Sequence, residues 1–345
     1  MKVVFLYTEL AEYVVNCFER LAKSGTEVHV MAYPVNPEAP FELGNREGGH
    51  YYQRVDFTSD DIVSLVHSIQ PDAIFVSGWV DEGYLDALSK LRATYRRVLV
   101  SDNATDNGLK SRASLLRARA KFKKLFDFAF VSGQPQRLYA EGMGFKKNEV
   151  FTGFYTADEQ RYLKIENENL GSKFPKRFVF VGRYLPFKGI YDLWNSFMEI
   201  DRRGWELHCY GTGADWEKRI EAPGIFHHGF IQPENMESVM AKGGIFVLPS
   251  HKEPWGVVVH EFAAAGFPLL VSNKVNAASA FLSEGLNGRI FKAKSKSELK
   301  QRLLEFMSLD DKELTKMSSE SRNLAEEMSL SRWLKTVEVI ANRKV

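Results

Sequence analysis

Cysteine is scarce in this sequence: Cys17 and Cys209 are the two cysteines in a chain of 345 residues. Two cysteines are too few for a disulfide framework or a thiolate zinc cage, which predicts a reduced, intracellular protein. Long apolar runs are also missing, because no stretch approaches about 18 uncharged apolar residues, the length that spans a bilayer. Residues 1–7 lack the longer apolar region and cleavage site of a signal peptide. Together these absences predict a cytoplasmic protein.

An excess of charge of one sign is missing as well. Lys and Arg total 46 and Asp and Glu total 44, so the formal net charge is +2. This balance says nothing about an acidic partner unless the charge is clustered locally, and we expect no nucleic-acid partner. The composition, 44% hydrophobic and 26% charged, excludes collagen-like, coiled-coil and disordered chains. Because single cores rarely exceed about 250 to 300 residues, the chain length predicts two domains.

Short apolar runs alternate with segments of helical periodicity, a pattern typical of parallel sheets covered by helices. Strands are predicted at residues 2–7, 27–32, 72–77, 97–101 and 126–132, and then at 177–181, 206–210, 225–228, 245–248, 268–272 and 289–291. Helices are predicted at 60–68, 82–91 and 329–342, and the polar stretch 146–176 separates the halves. The fold class is therefore α/β, with two doubly wound Rossmann-like domains. Such sheets bind ligands at the carboxyl ends of their strands.

Two cations lie in the loop after the strand at 177–181. Gly182 and Arg183 open this loop, Lys188 comes near its end, and a helix is predicted from about residue 190. Glycine lets a ligand approach the backbone, and a guanidinium fork with an ammonium suits phosphate oxygens. A solvated surface loop is the alternative, and these residues alone do not decide. A second glycine loop, with Gly211 and Gly213, follows the strand at 206–210 and is weak evidence by itself.

The segment 249–268 has the pattern strand, loop, helix, strand. Pro254 suits a first helical position and Gly266 a helix end, so a helix is predicted over 255–265. The unpaired amides and the positive dipole at a helix start bind anions such as a diphosphate. The residues predicted to present these amides are Trp255, Gly256 and Val257.

Two glutamates bracket this predicted anion site. Glu253 precedes the helix and Glu261 lies within it. Carboxylates accept paired hydrogen bonds from hydroxyls, so Glu261 could hold a ribose diol and Glu253 the hydroxyls of a sugar. Eight helical residues rise about 12 Å, comparable to the span from a hexose across a diphosphate to a ribose. The alternative is an acid at a helix start and an exposed acid on the helix.

These motifs together resemble the retaining GT-B glycosyltransferases of glycosyltransferase family 4. The resemblance is carried by the Glu-x7-Glu spacing over 253–261, the loop 182–189, the Gly-Thr-Gly loop 211–213 and the segment 286–291. It implies two Rossmann-like domains facing a cleft. Residues 1–155 would bind the acceptor, residues 172–328 would bind the nucleotide sugar, and residues 329–345 would form a helix that crosses back to the first domain.

The resemblance also implies roles for individual residues. Arg183 and Lys188 would bind the donor diphosphate, Glu261 the ribose and Glu253 the donor sugar, while Ile231 lies in the segment that contacts the nucleobase. The implied reaction moves a hexose-type sugar from a nucleotide donor, UDP rather than GDP, to a glycan or lipid-linked acceptor in bacterial cell-surface polysaccharide or lipopolysaccharide synthesis. It retains the anomeric configuration by front-face displacement, with no metal and no cofactor apart from the nucleotide sugar as co-substrate.

The sequence departs from the family pattern at two places. Residues 8–12 contain no glycine, whereas many members have glycines in this loop, so we expect no contact from it with the donor phosphate. Many members have a histidine where this chain has Ser101, Asp102 and Asn103. Asp102 either takes the polar role of that histidine or the role is absent, and we include Asp102 among the catalytic candidates.

A basic cluster occupies residues 110–124, with no acid between Asp106 and Asp127. A basic amphipathic helix is typical of membrane-surface binding. The alternative is a helix that packs its apolar stripe on the sheet and solvates its charges, and both can hold together. The candidate residues for an anionic membrane surface or acceptor are Arg112, Arg117, Arg119, Lys121, Lys123 and Lys124. Peripheral association with the inner face of the membrane would follow.

Two other functions stay open at this stage. A sugar-nucleotide 2-epimerase on the same scaffold would act on the nucleotide sugar without an acceptor. A non-catalytic nucleotide-sugar or glycan-binding protein would bind the donor without consuming it.

Overall fold

The computed structural model describes residues 1–34, 48–91, 95–104, 109–171 and 173–343, and the side chains of these residues except those of 109–114. The chain divides into two compact units. Unit 1 comprises Met1–Thr156 and Leu330–Val345, and unit 2 comprises Ala157–Ser329. The chain therefore passes from one unit to the other at 156–157 and again at 329–330. The roles assigned to the predicted domains, acceptor binding and donor binding, stay predictions.

Unit 1 contains a parallel sheet of seven strands. These strands are β1 (Lys2–Leu6), β2 (Glu27–Ala32), β3 (Gly49–Gln53), β4 (Ala73–Ser77), β5 (Arg96–Ser101), β6 (Phe128–Val131) and β7 (Val150–Thr152). The helices in this part of the chain are α1 (Glu12–Lys23), α2 (Ser59–Ile69), α3 (Glu82–Lys90), α4 (Leu109–Phe122) and α5 (Gln134–Gly142). The strand order is β3-β2-β1-β4-β5-β6-β7, so it reverses between β1 and β4.

The central strand β1 is buried on both faces. Val3 and Phe5 enter one hydrophobic cluster, whereas Val4 and Leu6 enter another on the opposite face. Successive side chains of a strand point to opposite faces, so an uninterrupted apolar run is what a strand between two helical layers requires. This explains why β1 is readily predicted from the sequence.

Unit 2 contains a parallel sheet of six strands. These strands are β8 (Arg177–Val181), β9 (Glu206–Tyr210), β10 (Ile225–His227), β11 (Ile245–Leu248), β12 (Leu269–Ser272) and β13 (Gly288–Phe291). The helices are α6 (Glu159–Leu163), α7 (Ile190–Met198), α8 (Met236–Ala241), α9 (Val257–Ala264), α10 (Ala278–Phe281), α11 (Lys296–Ser308) and α12 (Asp311–Glu326). The strand order is β10-β9-β8-β11-β12-β13, so it reverses between β8 and β11.

The last helix, α13 (Leu330–Asn342), belongs to unit 1. Its Trp333 is buried in the same hydrophobic cluster as Phe5, with ring centroids 6.3 Å apart. The Trp333 indole donates Nε1–H to the carbonyl oxygen of Phe154 at 2.9 Å. The terminal helix thus covers one face of the first sheet.

The predicted α/β class, with two Rossmann-like parallel sheets, is confirmed. Each strand predicted from the sequence is present, and its bounds differ by at most two residues. Two further strands were missed. β3 has the sequence Gly-His-Tyr-Tyr-Gln with no fully buried residue, and β7 is three residues long, so neither produces an apolar β-branched run. Within the described residues, no helix is long and apolar enough to cross a membrane.

Candidate active site

Two loops meet where the strand order of unit 2 reverses, the place where open α/β sheets bind ligands. One follows β8 and leads into α7, and the other follows β11 and leads into α9. Gly189 has a φ of 71°, and a Cβ there would stand 2.1 Å from the carbonyl oxygen of Pro249. His251 N–H also donates to the carbonyl oxygen of Phe187 at 2.7 Å. The loops therefore pack backbone to backbone, which only glycine permits at residue 189.

Lys188 and Glu253 form an ion pair across these two loops. Lys188 Nζ lies 2.5 Å from Glu253 Oε2, and the side chains are 16% and 11% exposed. Ser250 donates its hydroxyl hydrogen to the same oxygen at 3.3 Å. Sequence reasoning assigned the lysine to a diphosphate and the glutamate to a sugar as separate groups, and the structure brings the two together. Because both charges are largely removed from water, each needs a polar partner whenever the other is displaced.

The main chain at Glu253 is held by the loop that follows β12. Glu253 N–H donates to the carbonyl oxygen of Lys274 at 3.1 Å, and the Glu253 carbonyl accepts from Asn276 N–H at 3.3 Å. The Asn276 side chain donates to the carbonyl oxygen of Pro254 at 3.1 Å. Three hydrogen bonds thus fix the position of the glutamate. Asn276 was not identified from the sequence, because a single loop asparagine belongs to no motif.

Helix α9 begins later than the predicted range 255–265, because it covers Val257–Ala264. Gly256 precedes it in the left-handed region with a φ of 96°, and a Cβ there would lie 3.0 Å from Glu253 Cγ. The expectation that Pro254 takes the first helical position is therefore wrong. The expected rise of about 12 Å between the two glutamates assumed eight helical residues, and the helix covers only the part from Val257 onward. A turn at Gly256 therefore replaces the first part of the predicted helix. Glycine is needed there because a larger residue would crowd the Glu253 side chain.

The residues predicted at the helix start take different positions. Trp255 is buried with its ring 6.0 Å from that of Phe281, so its side chain packs in the core. The amides of Gly256 and Val257 stand at the first turn, where an α-helix supplies no acceptor of its own. Glu261 is partly exposed on the same helix, about 6 Å of rise beyond the first helical residue. Helix starts of this kind suit anions, and the predicted contact of these amides with a diphosphate stays a prediction.

The Gly-Thr-Gly loop packs on the loop after β8. A Cβ on Gly211 would stand 2.0 Å from the carbonyl oxygen of Gly182, and one on Gly213 would stand 2.8 Å from that of Tyr184. Both glycines have positive φ, 124° and 152°. Tyr184 N–H donates to the carbonyl oxygen of Thr212 at 2.8 Å. The glycines are therefore required for contact between loops, and their predicted contact with a donor stays a prediction, as it does for the partly exposed Arg183.

Tyr184 is a site residue that sequence reasoning missed. Its ring is fully buried, and burial raises the pKa of its hydroxyl far above the ordinary value. The hydroxyl lies 2.9 Å from Nδ1 of His227, whose Nε2 lies 3.0 Å from the carbonyl oxygen of Ile220. The histidine therefore donates through Nε2 and accepts at Nδ1. This chain anchors the residue next to Arg183, so His227 is structural here. Ile231, the predicted nucleobase contact, is partly exposed in the loop after β10.

A histidine and an aspartate flank Lys188. Nε2 of His251 lies 2.7 Å from Oδ2 of Asp192 on α7, and both side chains are partly buried. Together with the bond from His251 N–H to the Phe187 carbonyl oxygen, this pair joins the loop after β11 to α7 and to the residue before Lys188. No sequence signal pointed to them, because they are 59 residues apart and belong to no shared motif.

A buried histidine follows the helix start on α9. His260 Nδ1 accepts from the backbone N–H of Ala157 at 3.0 Å, and Nε2 donates to the carbonyl oxygen of Ala325 at 3.0 Å. Its ring stacks on Phe281 with centroids 4.1 Å apart. Burial lowers the pKa of His260 to about 4, so the imidazole is neutral near neutral pH. It ties both ends of unit 2 to the helix that carries Glu261.

Comparison with known proteins identifies the fold. The Anabaena protein HepE in complex with UDP-glucose superposes with a TM-score of 0.75 at 14% identity, over 98% of each chain. A lipopolysaccharide outer core galactosyltransferase in its apo form superposes with a TM-score of 0.73 at 14% identity, over 99% of each chain. The chain has the GT-B fold.

The GT-B assignment agrees with two sequence comparisons. Residues 163–324, within unit 2, match the family model described as glycosyl transferases group 1. Alpha-D-kanosaminyltransferase of Streptomyces kanamyceticus is 29% identical over 155 residues, which are 41% of this chain and 39% of that protein. The matched segment spans about two fifths of the length of the curated relatives it matches.

In unit 1 of this GT-B protein, Asp102 follows β5 and is partly exposed. Its backbone carbonyl accepts from Gln136 Nε2 at 3.3 Å. Nearby, the Tyr7 hydroxyl donates to that of Tyr155 at 3.0 Å. The pKa of Tyr7 is raised well above its ordinary value, chiefly by burial and then by Tyr155, with a smaller effect from the charge of Asp102. Asp102 is therefore close enough for its charge to act on the buried Tyr7 hydroxyl, and its predicted catalytic role stays a prediction.

The basic helix of the GT-B chain uses its apolar stripe for packing. On α4, Ala118 is buried and the Phe122 ring stacks on Trp79 at 5.1 Å. Lys123 turns back onto unit 1, with Nζ 3.7 Å from Glu149 Oε2. The remaining described candidates are exposed: Arg117, Arg119, Lys121 and Lys124. The side chain of Arg112 lies outside the described residues.

Proposed function

We propose that this protein is a retaining glycosyltransferase of family 4 type, which moves a hexose-type sugar from a nucleoside-diphosphate donor to a glycan or lipid-linked acceptor. The observation that carries the proposal is the Lys188–Glu253 ion pair at the strand-order reversal of unit 2, directly before the α9 helix start. Cation, carboxylate and helix amides in this order suit a sugar joined to a diphosphate. The kanosaminyltransferase and the galactosyltransferase among the relatives support it.

Donor binding would exchange the partners of this ion pair. A diphosphate oxygen replaces Glu253 on the Lys188 ammonium, and Arg183 binds a second oxygen through its planar fork. The released carboxylate then accepts hydrogen bonds from the hydroxyls of the sugar. Glu261 binds the ribose diol, and main-chain atoms near Ile231 contact the base. HepE has been crystallised with UDP and with UDP-glucose, which supports a UDP donor here.

The proposed chemistry is a front-face displacement at the anomeric carbon. The bond from that carbon to the diphosphate oxygen breaks, and the bond to the acceptor oxygen forms on the same face. The acceptor's proton passes to the leaving diphosphate. Lys188, Arg183 and the helix amides stabilise the charge that develops on the leaving group, a contribution that is usually among the largest in catalysis. Since fixed cations supply this stabilisation, we propose that the reaction is independent of metal.

The acceptor side of the proposal involves unit 1. The exposed cations on α4 and in the turn directly after it, together with the exposed Leu116, would contact an anionic membrane from the cytoplasmic side. A lipid-linked acceptor for cell-surface polysaccharide or lipopolysaccharide would then be within reach. Flotation with anionic liposomes tests this: the triple variant Arg117→Glu, Lys121→Glu, Lys124→Glu should lose binding, and binding equal to that of the unmodified protein would contradict it.

The donor is tested by thermal unfolding with UDP, GDP and ADP and with their sugar conjugates. A specific ligand raises the melting temperature by mass action, so UDP-sugars should give the largest rise. Lys188→Ala should abolish the rise, whereas Lys252→Ala, at an exposed lysine in the loop after β11, should retain it. No rise with any nucleotide, or an equal rise in both variants, would contradict the proposed donor site.

The reaction is tested by nucleotide release with an acceptor mixture, followed by NMR of the product. We expect the anomeric configuration of the donor to be retained and the rate to survive addition of EDTA. An inverted product would refute the mechanism, and loss of activity in EDTA would refute metal independence. Epimerised donor formed without any acceptor would indicate a sugar-nucleotide epimerase instead.

A further inference from the structure

A cluster of metal-ligating side chains lies on the first sheet, at strands β2 and β3. Glu27 and His29 stand two residues apart on β2, and His50 lies directly opposite His29 on β3. Residues i and i+2 of a strand face the same side, and directly opposed residues of neighbouring strands have closely spaced Cβ atoms. The three side chains therefore share one face. The sequence did not indicate this cluster, because its ligands belong to different strands, one of which was not predicted.

The ligand atoms converge closely enough for one ion. One ligand atom of each residue lies within 4.8 Å of the other two. Nε2 of His29 is 3.0 Å from Oε1 of Glu27, and the rings of His29 and His50 stack at 4.6 Å. Ligands about 2.0 to 2.2 Å from a tetrahedral zinc ion are roughly 3.4 Å apart. The ring of His50 is exposed, so a side-chain rotation closes the remaining distance.

A hydrogen bond with Tyr52 orients the ring of His29 for metal binding. Its Nδ1 lies 2.9 Å from the hydroxyl of Tyr52. A ligating histidine usually gives its other ring N–H to an oxygen, which fixes the tautomer and directs the free lone pair toward the metal.

We propose that Glu27, His29 and His50 bind one Zn²⁺ ion, with water in the fourth position. Two imidazoles and a carboxylate form a ligand set that suits zinc, and the exposed sides of Glu27 and His50 leave room for the water. Lys2 opposes binding, because its ammonium lies 3.1 Å from the other carboxylate oxygen of Glu27. This site is separate from the proposed donor chemistry and does not depend on it.

Unit 2 offers a matched comparison. Glu206 and His208 on β9 have the same Glu-x-His spacing, and His228 follows β10 directly, two residues beyond Phe226, the residue opposite His208. There, however, Nε2 of His208 lies 3.0 Å from Glu206 and Nδ1 lies 3.0 Å from His228. His208 thus points one ring nitrogen at each of the other two groups, so the three form a chain, whereas the second ring nitrogen of His29 faces Tyr52 and not His50. The nearby positive charge of Arg177 also lowers the pKa of both histidines, after burial, which is the larger cause.

The test is a Zn²⁺ titration of the tag-free full chain against a chromophoric chelator, with the melting temperature recorded at each ratio. We expect one ion per chain and a rise in melting temperature. Since losing a group that merely orients a ligand costs about 10- to 100-fold in affinity, Tyr52→Phe should weaken binding about tenfold, and His50→Ala or Glu27→Gln at least as much. Lys2→Ala should tighten binding, and His228→Ala should leave it unchanged.

Several results would overturn the proposal. One is the absence of saturable Zn²⁺ binding by the unmodified chain. Another is an affinity that neither His50→Ala nor Glu27→Gln reduces, and a third is an affinity that falls with His228→Ala. The melting temperature without zinc reports whether a variant is folded, and the tightening expected for Lys2→Ala does not rely on removing a ligand.

Discussion

His260 makes the stability of unit 2 sensitive to acid, and the effect can be worked out from the structure. The folded protein holds the imidazole neutral, because Nδ1 accepts a hydrogen bond from Ala157 and the ring is fully buried. An unfolded chain releases this constraint, and its histidine titrates near 6.5. Above that pH both states are neutral and the group has no effect. As the pH falls, the unfolded state binds a proton that the folded state does not bind until about pH 4.

The size of the effect follows from this difference. Each pH unit between the two pKa values, 6.5 and about 4, changes the free energy of unfolding by about 1.4 kcal/mol. The full loss is therefore about 3 kcal/mol, reached below pH 4. Between pH 7.5 and pH 5.0 the loss from His260 is about 2 kcal/mol. That is a large fraction of the stability of an ordinary domain, about 5 to 15 kcal/mol.

The assay is urea unfolding of the full chain at pH 7.5 and pH 5.0, followed by tryptophan fluorescence. Four of the six tryptophans lie in unit 2, so the signal reports mainly on that unit. They are Trp194, Trp205, Trp216 and Trp255. His260→Gln keeps a neutral donor that does not titrate. We expect this variant to be less stable than the unmodified protein at pH 7.5, but to lose about 2 kcal/mol less on going to pH 5.0.

The comparison between variants isolates one group. Other histidines with lowered pKa values, such as His228, titrate equally in both proteins and cancel. His67→Gln, on the exposed face of α2, controls for the substitution itself and should leave the pH dependence unchanged. If His260→Gln shows the same pH dependence as the unmodified protein, the imidazole is not held neutral by its burial and the reasoning fails.

Three further predictions concern the loops of unit 2. Lys188→Ala should lower turnover about 100-fold or more in a nucleotide-release assay. The reason is that losing one charge-stabilising donor raises the activation free energy by about 2.7 to 4 kcal/mol. The control variant Lys252→Ala should leave turnover near normal. Gly211→Ala should lower the free energy of unfolding by about 2 kcal/mol or more, since its Cβ would stand 2.0 Å from a carbonyl oxygen. Gly204→Ala, at a positive φ with open space around it, should cost less in the same urea experiment, and equal losses would count against the packing argument. His251→Asn should raise the KM for the donor about tenfold through loss of its bond to a carboxylate, and a fall in kcat alone would argue against a positioning role.

The sequence predicts the sheets well because their strands are buried on both faces. β8, β9 and β11 agree with their predicted bounds residue for residue. The missed strand β3 lies at a sheet edge, where half-exposed Tyr51 and Tyr52 replace the apolar run that identifies a central strand. Whether an edge segment forms a strand depends more on its packing against the neighbouring strand than on its own composition. Local sequence patterns therefore do not predict edge strands.

The candidate site is predictable in its residue types and not in its contacts. Lys188 and Glu253 are 65 residues apart, and nothing in the sequence specifies that they touch. The start of α9 is not predictable for a similar reason. The left-handed conformation of Gly256 is set by its contact with the Glu253 side chain, and helix propensity carries no information about that contact. The role of His260 cannot be predicted either. Its two hydrogen-bond partners are backbone atoms of residues distant in sequence, and backbone atoms leave no pattern in the sequence.

The route of the backbone gives unit 2 the character of an inserted module. Ala157 and Ala325, near its first and last residues, are both hydrogen-bonded to one imidazole ring, so the ends of the module lie side by side. A module with adjacent ends can be excised, or its ends joined by a short linker and new ends opened elsewhere, with little entropic cost for closing the chain. Residues 157–329 are thus suited to expression as a circular permutant.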